Sequence, residues 1–341
     1  MPGDGSRALR AQMMQLTWGA AVAQAVGVAA ELGVADALAG GPRHVDDIAA
    51  AVGADADSLH RLLRVLADLG VVGELGGARF APTPLGDLLR RDEPGSLRDW
   101  AIMIGSPFHR AAWTGLVDSV QTGDSAFVRV HGATPWDHRR AHPEDGRILD
   151  AAMTSASTGT LAAIAEVYDF GWVDTVVDVG GGQGGLLAAI LAANPGLRGV
   201  LFDQPDVVAG QVVEAAGLGG RCEYVGGSFF DEVPAGGDLY LLANIVHDWD
   251  DDRAVRILRN CAAAMKPGGR VLLGEAVLPE TGAAPEAKLV DLEMLVMNVR
   301  GARQRTAAEF RELFARSGLA MSGIVGRAGP FDLVEAVAAG R

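Results

Sequence analysis

Cysteine is nearly absent: the 341 residues contain two, Cys222 and Cys261. That pair supplies neither a disulfide framework nor a metal-ligand spacing, and it points to a reduced, cytoplasmic compartment. Positive charge is also short. Lys and Arg number 29 against 43 Asp and Glu, a net charge of −14, whereas a nucleic-acid partner calls for a basic footprint. Long hydrophobic runs are missing, although residues 11–30 come close: they carry no charge and follow Arg7 and Arg10, in the manner of a signal peptide. Gln12, Gln15, Thr17 and Gln24 interrupt them, and Glu31 arrives before any cleavage region. Such a Gly/Ala-rich helix suits another protein surface better than a membrane. Neither nucleic acid nor membrane is expected as a partner. Apolar residues make up 49% of the chain, enough for a large core and for more than one domain.

The most informative stretch is Thr175-Val-Val-Asp-Val-Gly-Gly-Gly-Gln-Gly-Gly-Leu-Leu187. It reads as a buried strand, a glycine turn and the start of an Ala/Leu helix. Glycines there let backbone N–H groups approach a ligand at a helix N-terminus. Gly180, Gly182 and Gly185 satisfy G-x-G-x-x-G, and Asp203 closes the next strand where a ribose-binding acid belongs. These features alone do not separate NAD from other adenosine cofactors. Asp178 does: a carboxylate just before the turn suits a cationic ligand, such as the sulfonium and amino groups of S-adenosyl-L-methionine, better than a pyrophosphate.

Ahead of this stretch the pattern is helical over 12–38, then over 45–52, then over 58–69 with Asp57 as its cap. Segments 71–75 and 78–81 follow as a hairpin, giving a winged-helix arrangement. The recognition helix would carry Arg61 and Arg64, but Asp46, Asp47, Asp55, Asp57 and Asp68 surround them, so dimerisation is favoured over DNA. Helices are expected over 108–120 and 144–167. The 132–143 stretch between them, with Trp136, His138 and His142, reads as a surface loop or packing; the two histidines have helical spacing but no third ligand, and no metal is expected.

Beyond Val173, strands at 175–179, 200–203, 222–225, 239–243 and 270–275 alternate with helices, including 252–265. The tail, 320–325 and 331–337, has room only for a tight turn and so for an antiparallel hairpin. The fold class is α/β: a Rossmann-like doubly wound sheet ending in that hairpin, preceded by a mostly helical winged-helix domain. The expected domains are 1–105 for dimerisation, 106–170 as bridging helices lining the substrate pocket, and 171–341 for cofactor binding and catalysis. Ligands in such sheets bind beyond the carboxyl ends of the strands, which here carry Asp178, Asp203, Ser228–Phe230, His247 and Glu275. Asp250 to Asp252 read as helix N-capping, and His247 as a general base.

Asp178-Val-Gly-Gly-Gly182, Phe229-Phe230, His247-Asp-Trp249, Lys266-Pro-Gly-Gly269, Glu275 and Arg305-Thr306 together resemble the caffeate/isoflavone-type small-molecule O-methyltransferases, in their bacterial natural-product branch. The resemblance covers nearly the whole chain. It implies a homodimer formed through the N-terminal domain, S-adenosyl-L-methionine as cofactor and a hydroxylated aromatic or polyketide-like substrate. It assigns Asp203 to the ribose hydroxyls, Phe229 and Trp249 to the surroundings of the adenine, and His247 to proton removal with Glu275 orienting it. Ser228 and Gln304 stand where the family usually carries acids, Ser228 near the adenine and Gln304 near the histidine. Met153, Met294 and Asn298 match substrate-pocket positions. C- or N-methylation, and hydroxylation or decarboxylation on the same fold and cofactor, are the alternatives.

Overall fold

The computed structural model describes residues 4–208 and 211–340, with side chains for 6–155, 163–208 and 212–340. Two compact units emerge, one of residues 1–111 with 137–157 and one of 112–136 with 158–341.

In the first unit, helices Val34–Leu38, Val45–Val52 and Ala56–Asp68 precede a hairpin of Val72–Glu74 and Arg79–Pro82. Leu59, Leu63 and Leu66 recur at helical spacing and bury one face of the third helix against Leu38, Ile48 and Phe80. Each such burial stabilises by about 1.5–3 kcal/mol. A third strand, Arg43–His44, pairs with Arg79–Pro82 and was not foreseen. At two residues it is too short to show an alternation. The cap of the 56–68 helix is Asp55, not Asp57: its Oδ1 accepts from the Ser58 amide at 2.9 Å. The helix expected over 12–38 is three, Asp4–Thr17, Gly19–Leu32 and Val34–Leu38, broken at Trp18 and at Gly33. Gly33 adopts φ +75, which ends a helix at little cost for glycine. Leu9, Met13, Met14, Leu16 and Trp18 on or just after the first of these helices are exposed. Among the described residues no single helix is long and apolar enough to cross a membrane; the bent pair 6–17 and 19–32 passes together on length and composition.

The second unit holds a seven-stranded sheet: β1 (Thr175–Val179), β2 (Arg198–Asp203), β3 (Cys222–Gly226), β4 (Leu239–Ala243), β5 (Arg270–Glu275), β6 (Leu319–Ala328) and β7 (Phe331–Ala338). Its spatial order is β6-β7-β5-β4-β1-β2-β3. The first five strands are parallel, β7 runs antiparallel to β5, and β6 closes the hairpin. The near-continuous apolar runs follow from burial on both faces. Val177, Val179, Tyr240, Leu242, Val271 and Leu273 point into one core, while Val176, Leu239, Leu241 and Leu272 point into the other. At the amino ends of the strands, the Asp238 carboxylate accepts from the amides of Asp174 and Thr175 and from Lys266 Nζ at 2.9 Å. That fastens the sheet where no chemistry is needed. The helix expected over 108–120 divides into Pro107–Trp113 and Leu116–Thr122, and the expected loop 132–143 contains helix Pro135–Ala141.

Candidate active site

Three strand exits converge at the carboxyl edge of β1, β2 and β4. After Val179 the chain turns through Gly180 at φ +75, and the amides of Gly180 and Gly182 are held by Phe202 O and by Asp203 Oδ2, both at 2.8 Å. A Cβ on Gly181 would lie 2.5 Å from Asp178 Oδ2 and from Leu201 Cδ1, so this is a cradle that only glycine leaves open. Gly185 begins the helix Gly185–Ala193.

Asp178 is 2% exposed, and its Oδ2 has no hydrogen-bond partner. Burial, and then the neighbouring Asp203 charge, push its pKa up to about 7. An orphaned carboxylate oxygen beside a second carboxylate lacks a cation, which is what the sulfonium and ammonium of S-adenosyl-L-methionine would supply. Asp203 accepts from the Gly182 and Gln204 amides through separate oxygens, at 2.8 and 2.6 Å, and lone pairs remain for ribose hydroxyls. The residues present fit the cofactor.

Beyond β3 and β4 lies an aromatic cluster. Phe229 and Phe230 meet the Trp249 ring edge-on, with centroids at 5.9 and 4.7 Å. Trp136 stacks on Trp249 at 4.9 Å and 5°. The Trp249 Nε1 donor is buried without a partner. Trp136 was expected in a surface loop or in packing; its place here could not be read from a segment lacking clear periodicity. Ser228 Oγ accepts from the Phe230 amide at 3.3 Å.

His247 lies on a single 3-10 turn, Val246–Asp248, that the chain enters through Asn244 at φ +57. Its Nδ1 is 2.6 Å from Oε2 of Glu275, a side chain fully buried at the end of β5. The other oxygen, Oε1, accepts from the amides of Ile245, Val246 and His247 at 3.2, 2.8 and 3.4 Å. Glu275 thereby fixes both the ring and the turn that carries it. On the opposite side His247 Nε2 is 3.4 Å from Asp248 Oδ1, which in turn accepts from Asn298 Nδ2 at 2.5 Å. Burial opposes a charged imidazole, yet the Glu275 and Asp248 carboxylates override it and raise the pKa to about 9. Burial also raises Asp248.

Met294 Sδ lies 3.6 Å from Asn298 Nδ2, so these two pocket candidates join the His247–Asp248 group. Met153 belongs to the first unit, 44% exposed. Gln304 is 2% exposed but makes no hydrogen bond to His247; its backbone N–H donates to Asp291 Oδ1 at 2.8 Å, and its side-chain Oε1 is unpartnered. The sequence had offered Gln304 as a partner of the histidine, and Asp248 takes that place. Asp248 sits inside the His247-Asp-Trp249 motif, which was the only available signal. Asp250 Oδ1 caps helix Asp251–Ala264 through the Arg253 amide at 2.9 Å.

Apart from this site, the third ligand candidate that sequence did not find beside His138 and His142 is Asp145, with ligand atoms within 4.8 Å of one another. His138 Nε2 and Asp145 Oδ2 are already 2.8 Å apart, as a hydrogen-bonded pair.

Comparison with known proteins gives a consistent answer. The O-methyltransferase domain model matches residues 113–320, and the O-methyltransferase dimerisation domain model matches 14–92. A phenazine O-methyltransferase of Lysobacter antibioticus is 43% identical over 97% of both chains. The solved mitomycin 7-O-methyltransferase superposes with a TM-score of 0.90 at 39% identity, covering 98% of this chain and 100% of that one. An O-methyltransferase of neocarzinostatin biosynthesis, solved with S-adenosylmethionine and 2-hydroxy-5-methyl naphthoic acid, gives 0.80 at 37% identity over 93% and 96%.

Proposed function

Because this chain belongs to the O-methyltransferase family with an N-terminal dimerisation domain, and so is an S-adenosyl-L-methionine-dependent enzyme, we propose that it methylates a hydroxyl of an aromatic or polyketide-like natural-product intermediate, with His247 as general base. The observation that carries this reading is the 2.6 Å contact between His247 Nδ1 and Glu275, which directs the lone pair of the neutral ring to Nε2.

When bound, the cofactor supplies a methyl group already activated on a sulfonium, and its product is S-adenosyl-L-homocysteine. The protein has the remaining tasks. Asp178 faces the cationic end, Gly180 and Gly182 keep the turn open, and Asp203 binds the ribose. Ser228, Phe229 and Trp249 border the adenine. His247 Nε2 takes the hydroxyl proton as the oxygen attacks, and Glu275 holds the resulting imidazolium. A phenol titrates near pKa ~10, so its removal in step with attack lowers the barrier. Met294 and Asn298 orient the acceptor, and Asp248 offers it a hydrogen-bonding carboxylate beside Nε2.

The protein would act as a cytoplasmic homodimer, in which a second copy covers Leu9, Met13, Met14, Leu16 and Trp18, 56–68% exposed in one chain. Light scattering of wild type and of Leu9→Glu/Trp18→Glu reads this: a monomeric wild type would contradict it. For the chemistry, a panel of phenols, hydroxynaphthoates and the matching arylamines is incubated with the cofactor and scored by mass gain. Methylation of hydroxylated members that His247→Ala abolishes is the expected result. Methyl transfer undiminished in His247→Ala would remove the assigned base, and transfer only to amines would move the reaction to nitrogen.

A further inference from the structure

The largest fully buried side chain among the described residues is one to which the foregoing chemistry gives no part. Arg305 is 0% exposed. It sits on a two-residue strand, Arg305–Thr306, that pairs in parallel with Val277–Leu278, two residues beyond Glu275. Thr306 is at once the N-cap of helix Ala307–Arg316, in a reciprocal capping box with Glu309. The Arg305 backbone is therefore pinned on both sides.

From there its guanidinium reaches the turn carrying His247. Nη1 donates to Val246 O at 3.0 Å, Nη2 to Trp249 O at 2.7 Å, and Nε and Nη2 donate to Asp251 Oδ1 at 3.0 and 2.8 Å. The two carbonyls bracket His247 and Asp248. Meanwhile Glu275 Oε1 gathers the amides of residues 245, 246 and 247. The turn is thus gripped through its N–H groups by a carboxylate and through its C=O groups by a guanidinium. The Arg303 amide, two residues before Arg305, adds a bond to His247 O at 2.8 Å.

We propose that Arg305 is a positioning residue for methyl transfer: its planar fork sets the height and direction of the His247 ring and ties that ring to Trp249, so that base and cofactor pocket are placed by one side chain. Lysine cannot do this, because one ammonium does not span two carbonyls and a carboxylate in a fixed plane. The charge has a second effect. Arg305 is a cation close to the imidazole, and it works against the tendency of Glu275 and Asp248 to hold His247 protonated. Its own ionisation is lowered by burial and restored chiefly by Asp251. The inference rests on His247 being the base.

The test compares wild type, Arg305→Lys, Arg305→Met and His247→Ala. It measures cofactor Kd by calorimetry, kcat and KM across pH, and the His247 titration by NMR in the cofactor-free protein. Misplacement of a reacting group by about 1 Å costs on the order of 10²-fold, so both Arg305 variants are expected to lose roughly that much kcat with a smaller change in acceptor KM. In Arg305→Met the His247 titration moves to higher pH, and in Arg305→Lys it stays near wild type while kcat remains low. If Arg305→Met does not fold, the lysine variant decides: wild-type kcat in Arg305→Lys overturns the proposal. So does a folded Arg305→Met with unchanged kcat and unchanged His247 titration. Should His247→Ala retain activity, the assignment of the base fails instead; loss in His247→Ala with wild-type behaviour at position 305 sinks this inference alone.

Discussion

Replacing Glu275 by glutamine is nearly isosteric, yet the geometry leaves the amide no acceptable orientation. If its oxygen keeps the three backbone amides of 245–247, its NH2 group faces His247 Nδ1. A donor there forces the ring proton onto Nε2, where a lone pair is needed. If the amide turns over, its NH2 confronts three N–H donors, and each one left unsatisfied costs about 1–3 kcal/mol. The first orientation removes the base and the second loosens the turn that carries it, and removal of general-base assistance costs typically ~10²–10⁴ in rate. The Glu275 carboxylate's pull on the imidazole also disappears, so Asp248 alone opposes the burial that depresses the His247 pKa, and that pKa falls.

Stability responds with a definite sign. In the folded wild type the His247 pKa stands at about 9 against 6.5 for the free side chain. That difference contributes stability that is fully present below pH 6.5 and is lost as pH rises through 9, on the order of 3 kcal/mol. Two readouts check the argument: methyl transfer at each variant's own optimal pH, and Tm between pH 6 and pH 10. Glu275→Gln should bind cofactor normally, turn over slowly, and lose the wild type's rise in Tm toward acid. A kcat within about 3-fold of wild type, at unchanged cofactor affinity, would refute it.

Three other outcomes follow from the same site. Asp203→Ala removes the anchor of the Gly182 amide along with the ribose acceptor, so calorimetry should show cofactor binding weakened by roughly 10- to 100-fold, the worth of a lost bond to a charged group; unchanged affinity would take Asp203 out of the site. Gly181→Ala places a methyl 2.5 Å from Asp178 Oδ2, and it should abolish detectable cofactor binding while leaving the circular dichroism of the fold intact; wild-type binding would mean the cradle faces nothing. Because a nearby cation disfavours a protonated imidazole, the His247 titration should move below about 9 with S-adenosyl-L-methionine and less with the uncharged thioether product. Equal shifts with both ligands would argue that the sulfonium is not beside this ring.

Most of the sheet was legible because its strands are apolar on both faces and end at glycine or acid. The segments 175–179, 239–243 and 270–275 fall on β1, β4 and β5 without displacement, and the tail could only be a hairpin. Where periodicity fails, so did the reading. The Gly/Ala-rich 12–38 segment hides its break at Trp18, because small residues look alike in helix and corner. The short helix Pro135–Ala141 escaped for want of a repeat, and Trp136 with it. His247 and Glu275 are 28 residues apart, and their contact depends on β4 and β5 being neighbours. Sequence supplied that contact only through family resemblance. The Arg305–Val246 bond and the Asn298–Asp248 bond span 59 and 50 residues and had no local signature at all.

The place of β7 has a consequence for how the enzyme comes into being. It lies between β5 and β6, with Asp332 opposite Glu275 in register, so the strand that carries the buried carboxylate gains its second neighbour only from residues 331–338. On the ribosome the glycine loop, the histidine and the carboxylate are all made while β5 is still an open edge, with a row of unpaired backbone groups. Maturation of the base is thereby deferred until residues 331–338 have been made. Chains released from the ribosome that end before residue 331 should show β5 open to protease, and chains that include residues 331–338 should show it closed. Protection already complete in the shorter chains would separate assembly of the site from completion of the sheet.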